Sequence, residues 1–142
     1  MKTISPWINF NGNAEEAFTL YQSVFGGEFK SIVRLKDLAS PEFPVAEKDA
    51  DKIMQITLPI DGGNMLIGND VPEFMGTVSE NENRSKIRIT LDSKEELEKV
   101  FNGLSAGGQV EMPPADSAWG TYFSMFRDRY GIEWVLEYEV KG

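Results

Sequence analysis

The side chains that could do chemistry in this sequence are carboxylates, amides, arginines and tryptophans, because histidine and cysteine are both absent. Without histidine there is no Ser-His-Asp triad, no imidazole acid or base and no histidine ligand for zinc. Without cysteine there is no thiolate nucleophile, thiolate metal ligand or disulfide framework. The chemistry left open is carboxylate acid-base work, hydrogen bonding by amides and arginine, and stacking on aromatic rings.

Polar and aromatic residues alternate with apolar ones along several predicted strands. Successive side chains of a strand point to opposite faces of the sheet, so residues out of phase with the apolar set share the second face. These residues are Trp7, Asn9, Gln55, Thr57, Lys86, Arg88, Val135 and Glu137. If the sheets curve around a hollow, these residues line it. A hollow lined by tryptophan and a few polar groups suits a small organic molecule. We therefore predict that this face binds a small, partly aromatic ligand.

Individual roles follow from the residue types. Trp7 is predicted to stack on the ligand, with a place in a dimer interface as the alternative. Arg88 is predicted to hold a ligand carboxylate or phosphate, with an ion pair to Glu137 as the alternative. Trp119 is predicted to close the cavity or else to serve in packing, and Tyr122 completes the predicted ligand-binding set.

Glu137 is the candidate catalytic residue. Burial can raise the pKa of a carboxyl group into the range where it works as a general base. Two neighbouring features are predicted to be structural. Asp128 and Arg129 precede Gly131 and are predicted to shape the turn there, and Trp134 is predicted to lie in the core beneath a helix.

The elements that position these residues begin with a strand over residues 5–10. A helix follows, with Asn13 as the predicted cap, Glu16 in the capping-box position and Gly26-Gly27 at its end. Further strands are predicted over 28–36, 52–59 and 64–69, the last two joined by a tight turn at Asp61-Gly62-Gly63.

The same order of elements then recurs. A strand begins at Lys86, Ser93 caps a helix with Glu96 in the box position, and Gly107-Gly108 ends it. A short strand over 109–112 is predicted to be broken by Pro113-Pro114, and a hairpin over 119–139 closes the chain. The predicted fold is α+β, with two βαβββ modules forming curved mixed sheets around a cavity. The modules span about 1–70 and 84–142 of a single domain, residues 1–142.

Four stretches carry a resemblance to a known family: PWINFNGNAEEAFTLYQSVFGGEF, IMQITLPIDGGNMLIGND, ITLDSKEELEKVFNGLSAGGQVEM and WGTYFSMFRDRYGIEWVLEY. Together they resemble the glyoxalase / bleomycin-resistance / extradiol-dioxygenase superfamily, also called vicinal oxygen chelate, and within it the PhnB-like branch. The resemblance covers nearly the whole chain. It implies paired βαβββ modules, a homodimer and a cavity in each curved sheet.

The resemblance also implies where metal-using members place their ligands. Those positions hold Ser5, Gln55, Lys86 and Val135 here, and of these only Gln55 could ligate readily. Glu137 lies two residues beyond the expected carboxylate, so Gln55 and Glu137 are the remaining weak candidates for a divalent metal. We predict no transition-metal cofactor and a binding function. The alternative is a glyoxalase-like lyase, isomerase or dioxygenase with an atypical metal site or with Glu137 as base.

Composition limits the partners. The chain has 14 basic and 23 acidic residues and a net charge of -9. Because this charge repels polyanions, nucleic acid and anionic membrane surfaces are not expected partners. The N-terminus lacks a secretory apolar region, so the expected location is the cytoplasm. The expected partners are a small-molecule ligand and, in a homodimer, a second copy of the chain.

Overall fold

The computed structural model describes residues 3–80 and 82–140. It divides the chain into two compact units, Met1–Val78 and Ser79–Gly142. The outermost residues of the predicted modules, 1–2 and 141–142, lie outside the described residues. Within the described part, neither α-helix has the length and apolar character needed to cross a bilayer.

The first unit has one helix and a mixed sheet. Its described elements are β1 (Trp7–Phe10), α1 (Ala14–Phe25), β2 (Ser31–Arg34), β3 (Ile53–Ile60) and β4 (Asn64–Asp70). The strand order is β1-β4-β3-β2, with β1 parallel to β4 and the other pairs antiparallel. The parallel pair requires the crossover that α1 and the intervening strands provide.

The second unit repeats this arrangement. Its described elements are β5 (Ile87–Thr90), α2 (Lys94–Ser105), β6 (Gln109–Asp116), β7 (Thr121–Arg127) and β8 (Glu133–Glu139). The strand order is β5-β8-β7-β6, with β5 parallel to β8. The prediction of an α+β fold built from two βαβββ modules with mixed sheets is confirmed.

In each unit the helix packs on one face of the sheet. In the first unit, Phe18 of α1 is fully buried and its ring meets Phe10 and Tyr21 edge-on. A Cβ atom at Gly68 would lie 2.6 Å from the Phe18 ring, so β4 requires glycine where the helix comes closest. In the second unit Trp134 is 1% exposed, which confirms its predicted place in the core.

The two helices begin in different ways. As predicted, Ser93 caps α2: its hydroxyl accepts a hydrogen bond from the Glu96 amide at 3.1 Å. The prediction that Asn13 caps α1 is wrong, because the Asn13 side chain makes no capping bond. The carboxylate of Asp70, from β4, accepts the Ala14 amide bond instead, at 2.8 Å. A long-range partner has therefore replaced the local cap.

Two strand boundaries also differ from prediction. β2 ends at Arg34, where Asp37 accepts the Arg34 amide bond at 2.9 Å and turns the chain into a short 3-10 helix, Leu35–Leu38. β6 continues through Pro113-Pro114. It is an edge strand whose pairing with β7 shifts register twice. Because the pairing is already irregular there, prolines without N–H groups can be accommodated in this strand.

The turn between β7 and β8 depends on Asp128, as predicted. One carboxylate oxygen of Asp128 accepts bonds from the Tyr130 and Ile132 amides at 2.8 and 3.1 Å. The other accepts the buried Trp134 indole N–H at 2.9 Å. The prediction for Arg129 is wrong, since its Nε donates to the Ala106 carbonyl just after α2. Asp128 thus joins the turn to the core.

Candidate functional site

The face of the first sheet opposite α1 carries four of the predicted ligand-binding residues. Trp7 and Thr57 lie in one row across the sheet, each paired with Ile67. Asn9 lies two residues beyond Trp7, and Gln55 lies two residues before Thr57. Because strand side chains alternate, these four share the face that α1 leaves uncovered.

Trp7 is the most accessible of the four. It is 52% exposed, and its indole N–H donates to the Asn69 side chain at 2.6 Å. Asn69 is held in turn by a bond from its amide to the Asp70 carbonyl at 3.1 Å. Thr57 is only 5% exposed and offers little surface. A ligand on this face would therefore meet mainly an indole of fixed orientation.

The corresponding face of the second sheet centres on Glu137. Its Oε1 accepts a bond from Arg88 Nε at 2.7 Å, and its Oε2 accepts the Trp119 indole N–H at 3.4 Å. The Glu137 side chain is 16% exposed, whereas that of Arg88 is 65% exposed. The ion pair considered as the alternative role of Arg88 is therefore present.

The environment of Glu137 changes its acidity in the direction opposite to prediction. The hydrogen bond from Arg88 lowers the pKa of Glu137 below its ordinary value, and the Trp119 bond acts the same way against the effect of burial. The expectation of a raised pKa is wrong because stabilisation of the charged form outweighs desolvation. Glu137 is an ionised, weakly basic carboxylate.

Trp119 lies in the loop before β7 and is 61% exposed. Its ring meets that of Phe123 edge-on, with the centroids 5.1 Å apart. Phe123 pairs with Glu137 across β7 and β8, so it lies on the helix-free face. Trp119 thus contacts this face at two points, a ring and a carboxylate.

Two further charged residues of this face, Glu133 and Arg127, were missed in the sequence. Glu133 is 3% exposed and bonds to the Arg127 guanidinium, and Lys86 Nζ lies 3.5 Å from its other oxygen. Arg127 also donates to the Gly131 and Glu82 carbonyls. Alternation could have revealed Glu133, because it precedes Val135 by two residues.

Tyr122 lies apart from this group. It is in phase with the buried Ser124, on the side of the sheet that faces α2. Its hydroxyl donates to Glu98 of α2 at 2.8 Å, and Lys94 Nζ lies 4.9 Å from the ring centroid. The bond to Glu98 raises the pKa of the Tyr122 hydroxyl. Tyr122 therefore joins the helix to the sheet.

Two of the positions at which the resemblance places metal ligands hold side chains that do not suit a metal. Lys86 is paired with Glu133, and Val135 is apolar. Among the described residues, no three carboxylates converge as a metal site would require.

Comparison with known proteins agrees with this architecture. The family model for the Glyoxalase/Bleomycin resistance protein/Dioxygenase superfamily matches residues 7–136. Protein YjdN of Escherichia coli K12 is 26% identical over 136 residues, covering 94% of this chain and 92% of YjdN.

Solved structures show the same relationship. Protein PA1353 from Pseudomonas aeruginosa is 35% identical, with a TM-score of 0.84 over 96% of this chain and 97% of that one. The PhnB protein from Bacillus cereus, described as a putative 3-demethylubiquinone-9 3-methyltransferase, is 25% identical, with a TM-score of 0.73 over 96% and 98% of the two chains. The family match and the PA1353 likeness together establish that this chain belongs to the glyoxalase/bleomycin resistance protein/dioxygenase superfamily.

Proposed function

We propose that this protein binds a small, partly aromatic molecule on the helix-free faces of its sheets. The observation that supports this most directly is Trp119, which is 61% exposed while its indole N–H is bound to Glu137 and its ring contacts Phe123. An aromatic ring held in one orientation loses little conformational entropy when a ligand stacks on it. Trp119 therefore provides a preorganised stacking surface.

The first unit supports the same proposal. Trp7 is 52% exposed and is oriented by Asn69, with Asn9 and Gln55 on the same face as amide donors and acceptors. Amides beside an indole are suited to an organic molecule that has one apolar ring and a few polar atoms. Thr57 is only 5% exposed and therefore offers little surface for contact with a ligand.

The alternative of a lyase, isomerase or dioxygenase finds less support. Glu137, its candidate base, is held in its charged form by Arg88, and a carboxylate of lowered pKa is a weak proton acceptor. The methyltransferase description of the B. cereus relative fits no better. The sequence has no GxGxxG loop to bind such a cofactor.

We propose further that the protein forms a homodimer in the cytoplasm, as the family resemblance implies. Under the alternative role for Trp7, this exposed indole lies in the dimer interface. Native mass spectrometry of freshly isolated protein reports the number of subunits, any bound metal and any retained ligand. A monomer without ligand at micromolar concentration would contradict the dimer proposal.

The binding proposal can be tested by NMR, because the chain has three tryptophans and so three indole N–H signals. Trp7→Phe and Trp119→Phe assign them. On titration with the neutral probe 1-naphthylmethanol, we expect the Trp119 signal to shift and that of Trp134, which is 1% exposed, to stay fixed. Trp119→Leu should weaken binding about fivefold, as expected for loss of an aromatic stack.

Two results would reject the proposal. One is the absence of any shift at Trp119 or Trp7 with millimolar probe. The other is equal movement of all three indole signals, including the buried Trp134, because that would indicate a general change of the protein rather than binding at the exposed indoles. A shift confined to Trp7 would move the binding surface to the first unit.

A further inference from the structure

We infer that the ligand carries an anionic group, a carboxylate or a phosphate, that binds the terminal nitrogens of Arg88. In this inference Glu137 is a positioning residue that holds Arg88 and Trp119 at a set spacing. The inference rests on the proposed function, because it names the chemical class of the molecule that stacks on Trp119. It assigns two adjacent functions, aromatic stacking and anion binding, to one end of the second sheet.

The first observation is the way Arg88 is held. Its Nε donates to Glu137 at 2.7 Å, but its two terminal nitrogens make no hydrogen bond to another described residue. The side chain is 65% exposed. A guanidinium group is planar, and its two terminal nitrogens match the two oxygens of a carboxylate or phosphate. Glu137 therefore occupies one side of the group and leaves that pair of nitrogens open to a ligand.

The second observation is that the other cations of this face are already engaged. Arg127 donates to Glu133 and to two backbone carbonyls, and its side chain is 12% exposed. Lys86 lies 3.5 Å from Glu133. Because buried Glu133 pairs with both of these groups, Arg88 is the one cation among the described residues of this face that can accept an anion without losing a buried partner.

The third observation is the division of the Glu137 carboxylate. One oxygen is bound by Arg88 from β5, and the other by Trp119 from the loop before β7. A single side chain on β8 thus orients the anion-binding group and the stacking surface together. A molecule with an aromatic ring and an adjacent anionic group would meet both without rearranging either, which reduces the entropy cost of binding.

The test compares 1-naphthoate with 1-naphthylmethanol, which has the same ring but no charge. Binding is followed at low salt through the Trp119 indole signal. We expect naphthoate to bind about fivefold more tightly, the effect of one partly exposed charged pair. In Arg88→Gln the preference for naphthoate should be lost, so that the two probes bind with equal affinity. Arg84→Gln makes the same change in net charge at an exposed arginine outside the sheet and should keep the preference.

The outcomes separate the inference from the proposed function. If naphthylmethanol binds at Trp119 and naphthoate binds no better, the inference is overturned and the proposed function stands. If neither probe binds, the proposed function fails. An equal loss of preference in Arg84→Gln would show general charge attraction and overturn the inference, as would full retention in Arg88→Lys, which keeps the charge but not the paired nitrogens. An unmoved Trp134 signal confirms that each variant is folded.

Discussion

In the first unit the helix-free face is neutral, whereas in the second it is crossed by ion pairs. On the helix-free face of the first sheet, the described residues that pair across the strands carry no charge. They are Trp7, Asn9, Ser31, Val33, Gln55, Thr57, Ile67 and Asn69. The second face holds the Arg88–Glu137 pair and the Glu133 cluster with Arg127 and Lys86. Both sheets nevertheless have the same strand order.

The buried residues of each strand set the fold, and the alternate, uncovered residues set the chemistry of the surface. The residues that face the helix keep the two units alike, because both must bury an apolar surface of similar shape. The residues of the other face are released from this requirement. The two faces can therefore present different groups to a ligand while the core stays the same.

The buried aspartates extend the comparison. In the first unit Asp70 joins the start of α1 to β3, accepting bonds from the Ala14 and Ile53 amides. In the second unit Asp128 serves the β7–β8 turn, and the helix relies on its own Ser93. Each unit therefore depends on a different buried carboxylate.

The largest expected effect is that of Asp128→Ala. It removes the acceptor of two backbone amides and of the buried Trp134 indole, so we expect a loss of about 3 kcal/mol or more in the free energy of unfolding. Urea unfolding of wild type and Asp128→Ala, followed at the Trp134 indole signal, measures this loss of unfolding free energy. The exposed Asp61→Ala is the control and should change stability by less than about 0.5 kcal/mol. A loss below about 1 kcal/mol in Asp128→Ala would contradict the assigned role.

Asp70→Ala should come next, with a loss of about 2 kcal/mol, because it leaves the buried Ala14 and Ile53 amides without an acceptor. Urea unfolding followed at the Trp7 signal reports on the first unit. Asp70→Asn keeps one carbonyl oxygen and should lose less. Equal losses in the two variants would show that the hydrogen bonds to the Ala14 and Ile53 amides are not the main contribution.

A pair of cap substitutions sharpens the difference between the helices. Ser93→Ala should cost about 1 kcal/mol because it removes the bond to the Glu96 amide. Asn13→Ala should cost less than about 0.5 kcal/mol, since its side chain makes no capping bond. Thermal unfolding of both variants provides the measurement. A larger loss in Asn13→Ala would restore the local cap predicted from the sequence.

The smallest expected effect is the pH dependence contributed by Glu137. Its folded pKa is lowered, so its contribution to stability is complete above the unfolded value and is lost as pH falls through the folded value. Wild type should exceed Glu137→Gln in stability by at most about 1 kcal/mol at pH 7, and the gap should close on acidification. Urea unfolding from pH 7 to pH 3 checks this. If the stability difference between wild type and Glu137→Gln did not change with pH, the Arg88–Glu137 ion pair would not be its cause.

Much of the fold was accessible from the sequence. Ser93, Asp128 and Trp134 were interpreted correctly because each acts within a short segment whose spacing is visible. The errors at Asn13, Arg129 and the β6 prolines share one cause. In each case a group distant in sequence or the position at the sheet edge decides the outcome. Tyr122 is a simpler case, since its phase with Ser124 already placed it on the helix side.

The sheet face on which most of the candidate residues lie was predictable from the sequence. Alternation assigned Trp7, Asn9, Gln55, Arg88 and Glu137 to helix-free faces, and the strand pairings agree. The lowered pKa of Glu137 was not predicted, although the sequence offered its ion pair with Arg88 as an alternative. It depends on a hydrogen bond to a residue 49 positions away and on an indole from another loop.

By itself the sequence determined the order of the elements, the two helix faces and the division of each strand into a buried and an open side. Short-range periodicity encodes these properties, because a helix or strand repeats its geometry every few residues. Only the tertiary structure decided which donors reach Asp70, Glu133 and Glu137. Those contacts join segments that are adjacent only after the strands have paired, and they set the charge and orientation of each group.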